Sequence, residues 1–281
     1  NHNDSKFNIS RTAFEIALIR ENDFDNIIFS DADEKELKTL QKKKGDLLAD
    51  AAKAYQRVMR YKSERLFEAG YHIGKLYEKF SEVFQKQKRL KRDPIKAALE
   101  DKDINLASST LLQKSVLPYQ KVLELATEID SVSPEQQQWI DSSMISLENA
   151  VYQSGVYIID ALVAMQSAPV PQDISSQPLY FFQYLKQLNE TLEPLKIQAR
   201  DYFLQASKNL QEKGLKGTIS EKCLNEFAKN NFLIANDYDK LAEQILEGTE
   251  RLPRDLSVAE REDLVFQFED MVSRGLEISE A

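Results

Sequence analysis

Glycine and proline are scarce in this chain, with eight of each among 281 residues, roughly half the usual share. A dinucleotide-binding fold, a phosphate-loop fold or an all-β fold needs more glycine for its turns, so these are excluded as expectations. Cys223 is the only cysteine, and one thiol cannot form an intramolecular disulfide. It sits in the helical-looking run Glu221-Lys222-Cys223-Leu224-Asn225-Glu226-Phe227, where a small buried apolar role fits better than nucleophilic chemistry. There are two histidines, His2 and His72, and no His-x-x-x-His, Cys-x-x-Cys, Gly-x-Ser-x-Gly or Walker pattern. The sequence therefore offers no metal ligand set and no catalytic triad, and no cofactor is expected. Long apolar runs of membrane-spanning length are also missing. Asn1-His2-Asn3-Asp4-Ser5 does not read as a signal peptide, and a leader removed before residue 1 stays open. An excess of positive charge is absent too. The 37 Lys and Arg face 46 Asp and Glu, a formal charge of −9, so nucleic acid is not expected as the main partner.

What is present is helical periodicity from end to end. With 42% apolar and 30% charged residues the chain suits a globular protein. Leu37, Leu40, Leu47, Leu48, Ala51, Ala52, Tyr55, Val58 and Met59 step along one helix face, with Gly45 as an expected bend or break. Capping patterns punctuate the chain: Asp31 with Glu34, Ser133-Pro134-Glu135-Gln136, Thr218 with Glu221, and Ser257 with Glu260. Asp93-Pro94 and Pro169-Val170-Pro171 read as loops. Helices are predicted over 10–22, 32–61, 63–91, 104–130, 134–166, 177–213, 219–230, 235–248 and 257–275. The expected organisation is an N-terminal segment with a short helix (1–30), a repeat domain (31–248) and an acidic capping helix (249–281).

A weak internal repeat organises the middle. Ala69, Tyr71 and Gly74 match Ala150, Tyr152 and Gly155 at a constant offset, and each copy is followed by a helix with an internal proline, Pro118 or Pro194. A glycine inside a helix costs about 1 kcal/mol against alanine, so Gly74 and Gly155 are expected to admit a close neighbour. The stretch Glu148 to Lys229 has a small-residue helix with a central glycine, the loop Ala168-Pro169-Val170-Pro171 and Tyr184. Pro194-Leu195, Ala199, Tyr202, Glu212-Lys213-Gly214-Leu215 and a final helix from Ile219 to Ala228 follow. It resembles the tetratricopeptide-like helical repeats common in bacterial cell-envelope proteins; a looser copy runs from Glu64 to Ile129. The resemblance implies an all-α array of stacked antiparallel hairpins and a periplasmic or outer-membrane binding scaffold. The related copies fall near 64–130 and 148–229.

Three local features are candidate contacts for a protein partner. The first is the aromatic run Tyr180-Phe181-Phe182-Gln183-Tyr184, which cannot all face one core. The second is the basic stretch with Lys86, Lys88, Arg89, Lys91, Arg92 and Lys96, read either as a docking patch or as a solvated helix end. The third is the acidic C-terminus, where 13 acidic residues face 5 basic ones from Asp237 to Ala281. His72 and Trp139 read as packing residues, and Asp160 as facing the interior, as Glu78 and Glu82 do on their own helix. The expected function is a non-catalytic adaptor or scaffold that binds protein. Membrane contact is expected only through a segment absent from this chain. The alternatives are a helical-bundle enzyme or metal protein with a buried carboxylate site, and a membrane-associated helical coat.

Overall fold

The computed structural model describes residues 2–29, 32–175, 178–212, 257–263 and a scatter of further positions between 222 and 273. Every regular element among the described residues is an α-helix. They are α1 (His2–Asp25), α2 (Glu34–Arg60), α3 (Leu66–Lys86), α4 (Pro94–Thr127), α5 (Pro134–Gln166), α6 (Gln172–Ser175) and α7 (Pro178–Glu212). Among the described residues no helix is long and apolar enough to cross a membrane. The chain divides into two compact units, Asn1–Ala161 and Leu162–Ala281.

The helix starts show how local chemistry chose its register. Asp33, not Asp31, caps α2: its Oδ1 accepts from the amides of Lys35 and Glu36 at 2.9 Å, and the Asp33 amide donates to the Glu36 carboxylate. Asp31 lies outside the described residues, and Glu34 is the first helical residue rather than the third. Both aspartates have the capping-box spacing. Only the Asp33 register places apolar residues before the cap and in the first turn, Ala32 and Leu37, and both are buried in one core. Asp93-Pro94 is likewise no loop but the cap and first residue of α4, with Asp93 accepting from the Lys96 amide at 3.0 Å. That moves the start of α4 ten residues ahead of the expected 104. The boxes at Ser133/Gln136 and Ser257/Glu260 form as read. Thr218, Glu221 and the expected helix 235–248 lie outside the described residues. Gly45 breaks nothing: α2 runs through it. Lys62, at φ 46°, takes the left-handed position that closes α2, a place more often held by glycine.

In the first unit α1 packs on α2 and also touches α3, α2 packs on α3, and α3 on α4. The main core gathers Phe14, Phe24 and Phe29 with Tyr55, Ile73, Leu76 and Phe80. A second cluster joins Phe67, Leu66 and Val122 to Trp139 and Ile140 at the start of α5. The α3–α4 pair runs antiparallel with small residues at the contact. Gly70 lies against Val122 and Gly74 against Tyr119. Farther along, Ser81 and Ser108 exchange bonds with each other's carbonyls, and Gln85 donates to Asn105. Ser109 and Ser154 repeat the serine exchange between α4 and α5. In the second unit the buried residues of α7, among those described, are Leu192, Lys196, Ala199, Phe203 and Ala206, at helical spacing.

Two charged residues sit on otherwise apolar faces and tie α1 down. Lys44 is almost fully buried, donates to the carbonyls of Phe24 (2.7 Å) and Ile27 (2.8 Å), and rests over the Phe24 ring. It caps the end of α1 from the middle of α2. Burial pushes its pKa down to about 8. Lys44→Met is expected to cost about 2 kcal/mol in chemical denaturation, because two buried carbonyls lose their donor. The folded pKa lies below the unfolded 10.5, so the folded state releases its proton first and wild type gains stability from pH 8 toward 10.5. The gap to Lys44→Met is expected to widen across that window; a constant gap would refute the buried-charge account. Glu21 is the other such residue, and its partners belong to the next section.

Candidate functional site

The sequence flagged the basic stretch after α3, and the structure divides its cations into two groups. One group is engaged inside the fold. Arg89 bonds Asp101 at 2.7 Å and donates to the carbonyls of Gln85 and Gln87, closing the end of α3. Lys91 pairs with Glu34 at 2.7 Å, which raises the lysine's pKa and lowers the glutamate's. Lys86 pairs with Glu82 across one helical turn. The other group, Lys88, Arg92 and Lys96, is exposed and makes no ion pair among the described residues. Arg89 serves the helix end, while Lys88, Arg92 and Lys96 face solvent.

The linker between α3 and α4 arches over a groove of about 500 Å³. Its floor is apolar and comes from three helices and the linker: Leu37 from α2, Phe84 from α3, Leu90, then Leu99, Ile104 and Ala107 from α4. Gln41 donates to Gln87 at 3.1 Å and ties α2 to the end of α3. The acids along the rim are all held by this chain. Glu34 pairs with Lys91, Glu100 accepts the amides of Leu90 and Lys91 at 2.9–3.0 Å, and Asp103 pairs with Lys102. Lys38 and Lys96, also on the rim, make no ion pair among the described residues. The groove therefore offers an apolar lining and two exposed cations that make no ion pair among the described residues. Leu99, at 39% exposure, keeps apolar surface open to solvent in the groove.

The other sequence candidates fall elsewhere. Tyr180, on α7, is 56% exposed and Tyr184 is half-buried; the side chains of Phe181 and Phe182 lie outside the described residues. Of the repeat residues, Gly74 is covered by Tyr119, Tyr71 lies tilted against Trp139 with ring centres 5.2 Å apart, Gly155 is buried, and Tyr152 is half-buried. Pro118 and Pro194 stand inside α4 and α7. Asp160 is exposed, not interior. Cys223 lies outside the described residues.

Sequence reasoning missed the principal polar cluster. Glu21 of α1 accepts from the Tyr55 hydroxyl, from His72 Nδ1 at 2.8 Å and from Lys79 at 2.8 Å, while Lys79 also reaches Asp25 at 2.7 Å. Tyr55 stacks on His72 at 5.0 Å, and Phe14 and Trp139 close around the imidazole. Burial pushes the Glu21 pKa up, but the bonds from His72, Lys79 and Tyr55 outweigh it and hold the carboxyl at about 2. Burial and Glu21 raise the Tyr55 hydroxyl far above its ordinary value. A second carboxylate, Glu78, accepts from Tyr119 at 2.6 Å and from Lys75. A carboxylate held at about 2 is a weak proton acceptor at neutral pH. Among the described residues no group of three or more His, Cys, Asp or Glu is placed to hold a metal.

No family model matches the chain, and no curated protein matches it. Among solved structures it is similar to a designed protein described as "Computational Design of Self-Assembling Cyclic Protein Homooligomers". That likeness covers 99% of this chain and 83% of the other at 11% identity, with a TM-score of 0.34. A likeness of that degree carries no argument about fold or function.

Proposed function

We propose that this all-helical chain is a non-catalytic protein-binding module, its helices stacked as tetratricopeptide-like hairpins. Its partner lays an apolar segment with acidic flanks along the groove between α2 and α4. One observation carries the reading: the groove pairs an apolar floor with Lys38 and Lys96, while every acid on its rim is already held by the fold. An acidic amphipathic segment supplies both the apolar side chains and carboxylates for the two exposed lysines. The small-residue contacts at Gly70, Gly74, Ser81 and Ser108 support close stacking of successive helices. The buried Glu21 and the half-buried Glu78 both already accept from neighbouring side chains, which favours a structural role for these two carboxylates.

The test uses a fluorescein-labelled helical peptide alternating leucine and glutamate turns, titrated by anisotropy. Wild type is expected to bind it with an affinity that falls as salt rises. Lys38→Glu with Lys96→Glu is expected to weaken binding about tenfold or more, since two attractive contacts become repulsive. Leu99→Arg, which blocks the floor, is expected to abolish it. Equal affinity of all three proteins would reject the groove. A large rise in melting temperature with divalent metal would favour the enzyme reading instead.

A further inference from the structure

The acidic C-terminal stretch is the feature that the proposed function leaves unused. All described residues from 258 to 273 are helical, and the stretch opens with the Ser257/Glu260 capping box. Val258 is 72% exposed, Val265 52% and Phe266 69%. Glu262 and Glu269 are exposed as well. On a helix, positions 258, 262, 265, 266 and 269 share one face. That face alternates apolar residues with carboxylates, and from 257 to 275 the sequence has five acidic residues against two basic ones. It is the complement of the groove, where apolar side chains are flanked by Lys38 and Lys96.

We infer that the groove of one copy receives the helix around residues 258–270 of a second copy. This rests on the reading of the groove as a site for acidic amphipathic segments, and it adds the identity of the segment. Val258, Val265 and Phe266 lie toward Leu37, Leu99 and Ile104, and Glu262 and Glu269 reach the two lysines. The contact is heterologous, groove to tail. Repetition of such a contact closes into a ring or extends into a filament according to the rotation between copies. Association driven in part by exposed charge pairs weakens as ionic strength rises.

Sedimentation velocity on the full chain tests this with two variants. Lys38→Glu/Lys96→Glu disables the groove, and Glu262→Lys/Glu269→Lys disables the tail. Wild type is expected to associate with rising concentration and to dissociate in high salt. Each variant alone is expected to be monomeric. The two variants mixed are expected to associate again as alternating copies, because the wild-type groove of one meets the wild-type tail of the other and the reversed groove meets the reversed tail; a mixture that stays monomeric overturns the inference. A wild-type chain that remains monomeric at every concentration overturns it, as does association unaffected by either variant. A synthetic peptide of residues 255–275 that binds while the full chain stays monomeric means that the tail reaches the groove of its own chain, which also overturns it. The leucine–glutamate peptide separates this inference from its premise. If that peptide binds wild type and not the groove variant, while copies do not associate, only the second-copy inference fails. If neither peptide binds, the groove reading fails with it.

Discussion

Gly74→Ala is expected to destabilise the first unit by about 3 kcal/mol, although alanine is the better helix former by about 1 kcal/mol. A β-carbon at Gly74 would meet Tyr119 Cδ1 at 2.9 Å, with Cε1 and Cζ closer still. The ring has no room to move. Tyr119 is fully buried, and its hydroxyl is bonded to Glu78 at 2.6 Å. The methyl therefore forces α3 and α4 apart or breaks the Tyr119–Glu78 bond. Gly45→Ala is the control: there the new carbon meets only Phe80 Cε1 at 4.0 Å, an ordinary contact, and a gain of up to about 1 kcal/mol is expected. Tyr119→Leu is expected to relieve the clash, so the double variant should be more stable than the two single losses predict. Urea denaturation of the four variants decides it. A neutral Gly74→Ala, or strict additivity with Tyr119→Leu, would show that the close approach carries no energy.

That pair also shows what the sequence could and could not reveal. Gly74 was legible as a point of close approach, because an interior helical glycine needs a compensating contact. Its partner was not, because Tyr119 lies forty-five positions along the chain and meets Gly74 only once α3 and α4 pair antiparallel. Helix existence was legible from three- and four-residue steps, and the caps fixed most starts. The missed register at Asp33 turned on the burial of Ala32 and Leu37, which a capping pattern does not contain. The start of α1 was also missed: the expected 10–22 became His2–Asp25, since its first turns carry few apolar residues to set a period.

The groove was half legible. Lys96 stood out in a run of like charge, but Lys38 lies outside that run on α2, the floor is assembled from Leu37, Phe84, Leu99 and Ile104 on three helices, and no local window holds them together. Which cations remain available depended on where Asp101 and Glu34 come to lie. Lys44 and Glu21 had a signal that periodicity discards. Lys44 falls on the stripe of Leu37, Leu48, Ala51, Tyr55 and Val58, and Glu21 on the stripe of Ser10, Phe14, Ala17 and Phe24. A charge on an apolar face must find partners when the face is covered. Reading those two positions as commitments to specific partners would have pointed to the ends of α1 and to the polar side chains Tyr55, His72 and Lys79.

Glu21→Gln is expected to lower stability at neutral pH by about 3 kcal/mol, the scale of removing one partner from a buried charge network. The side chain is 9% exposed and joins α1 to Tyr55 of α2 and to His72 and Lys79 of α3, so its loss loosens α1 from both helices. An amide still accepts from Tyr55, but it offers Lys79 no counter-charge and leaves that lysine with Asp25 alone. The pH dependence identifies the charge as the cause. The carboxyl has a folded value of about 2 against 4.5 when unfolded, so its contribution is complete above 4.5 and is lost as pH falls from 4.5 toward 2. The difference between wild type and Glu21→Gln should therefore shrink as pH falls below about 4.5, whatever the other carboxylates do to both proteins alike. Tyr55→Phe removes one neutral donor and should cost only about 1 kcal/mol, with much weaker pH dependence. If the Glu21→Gln difference is the same at pH 7 and at pH 3, the network is held by packing of Phe14, Tyr55 and His72 and not by the carboxylate at its centre.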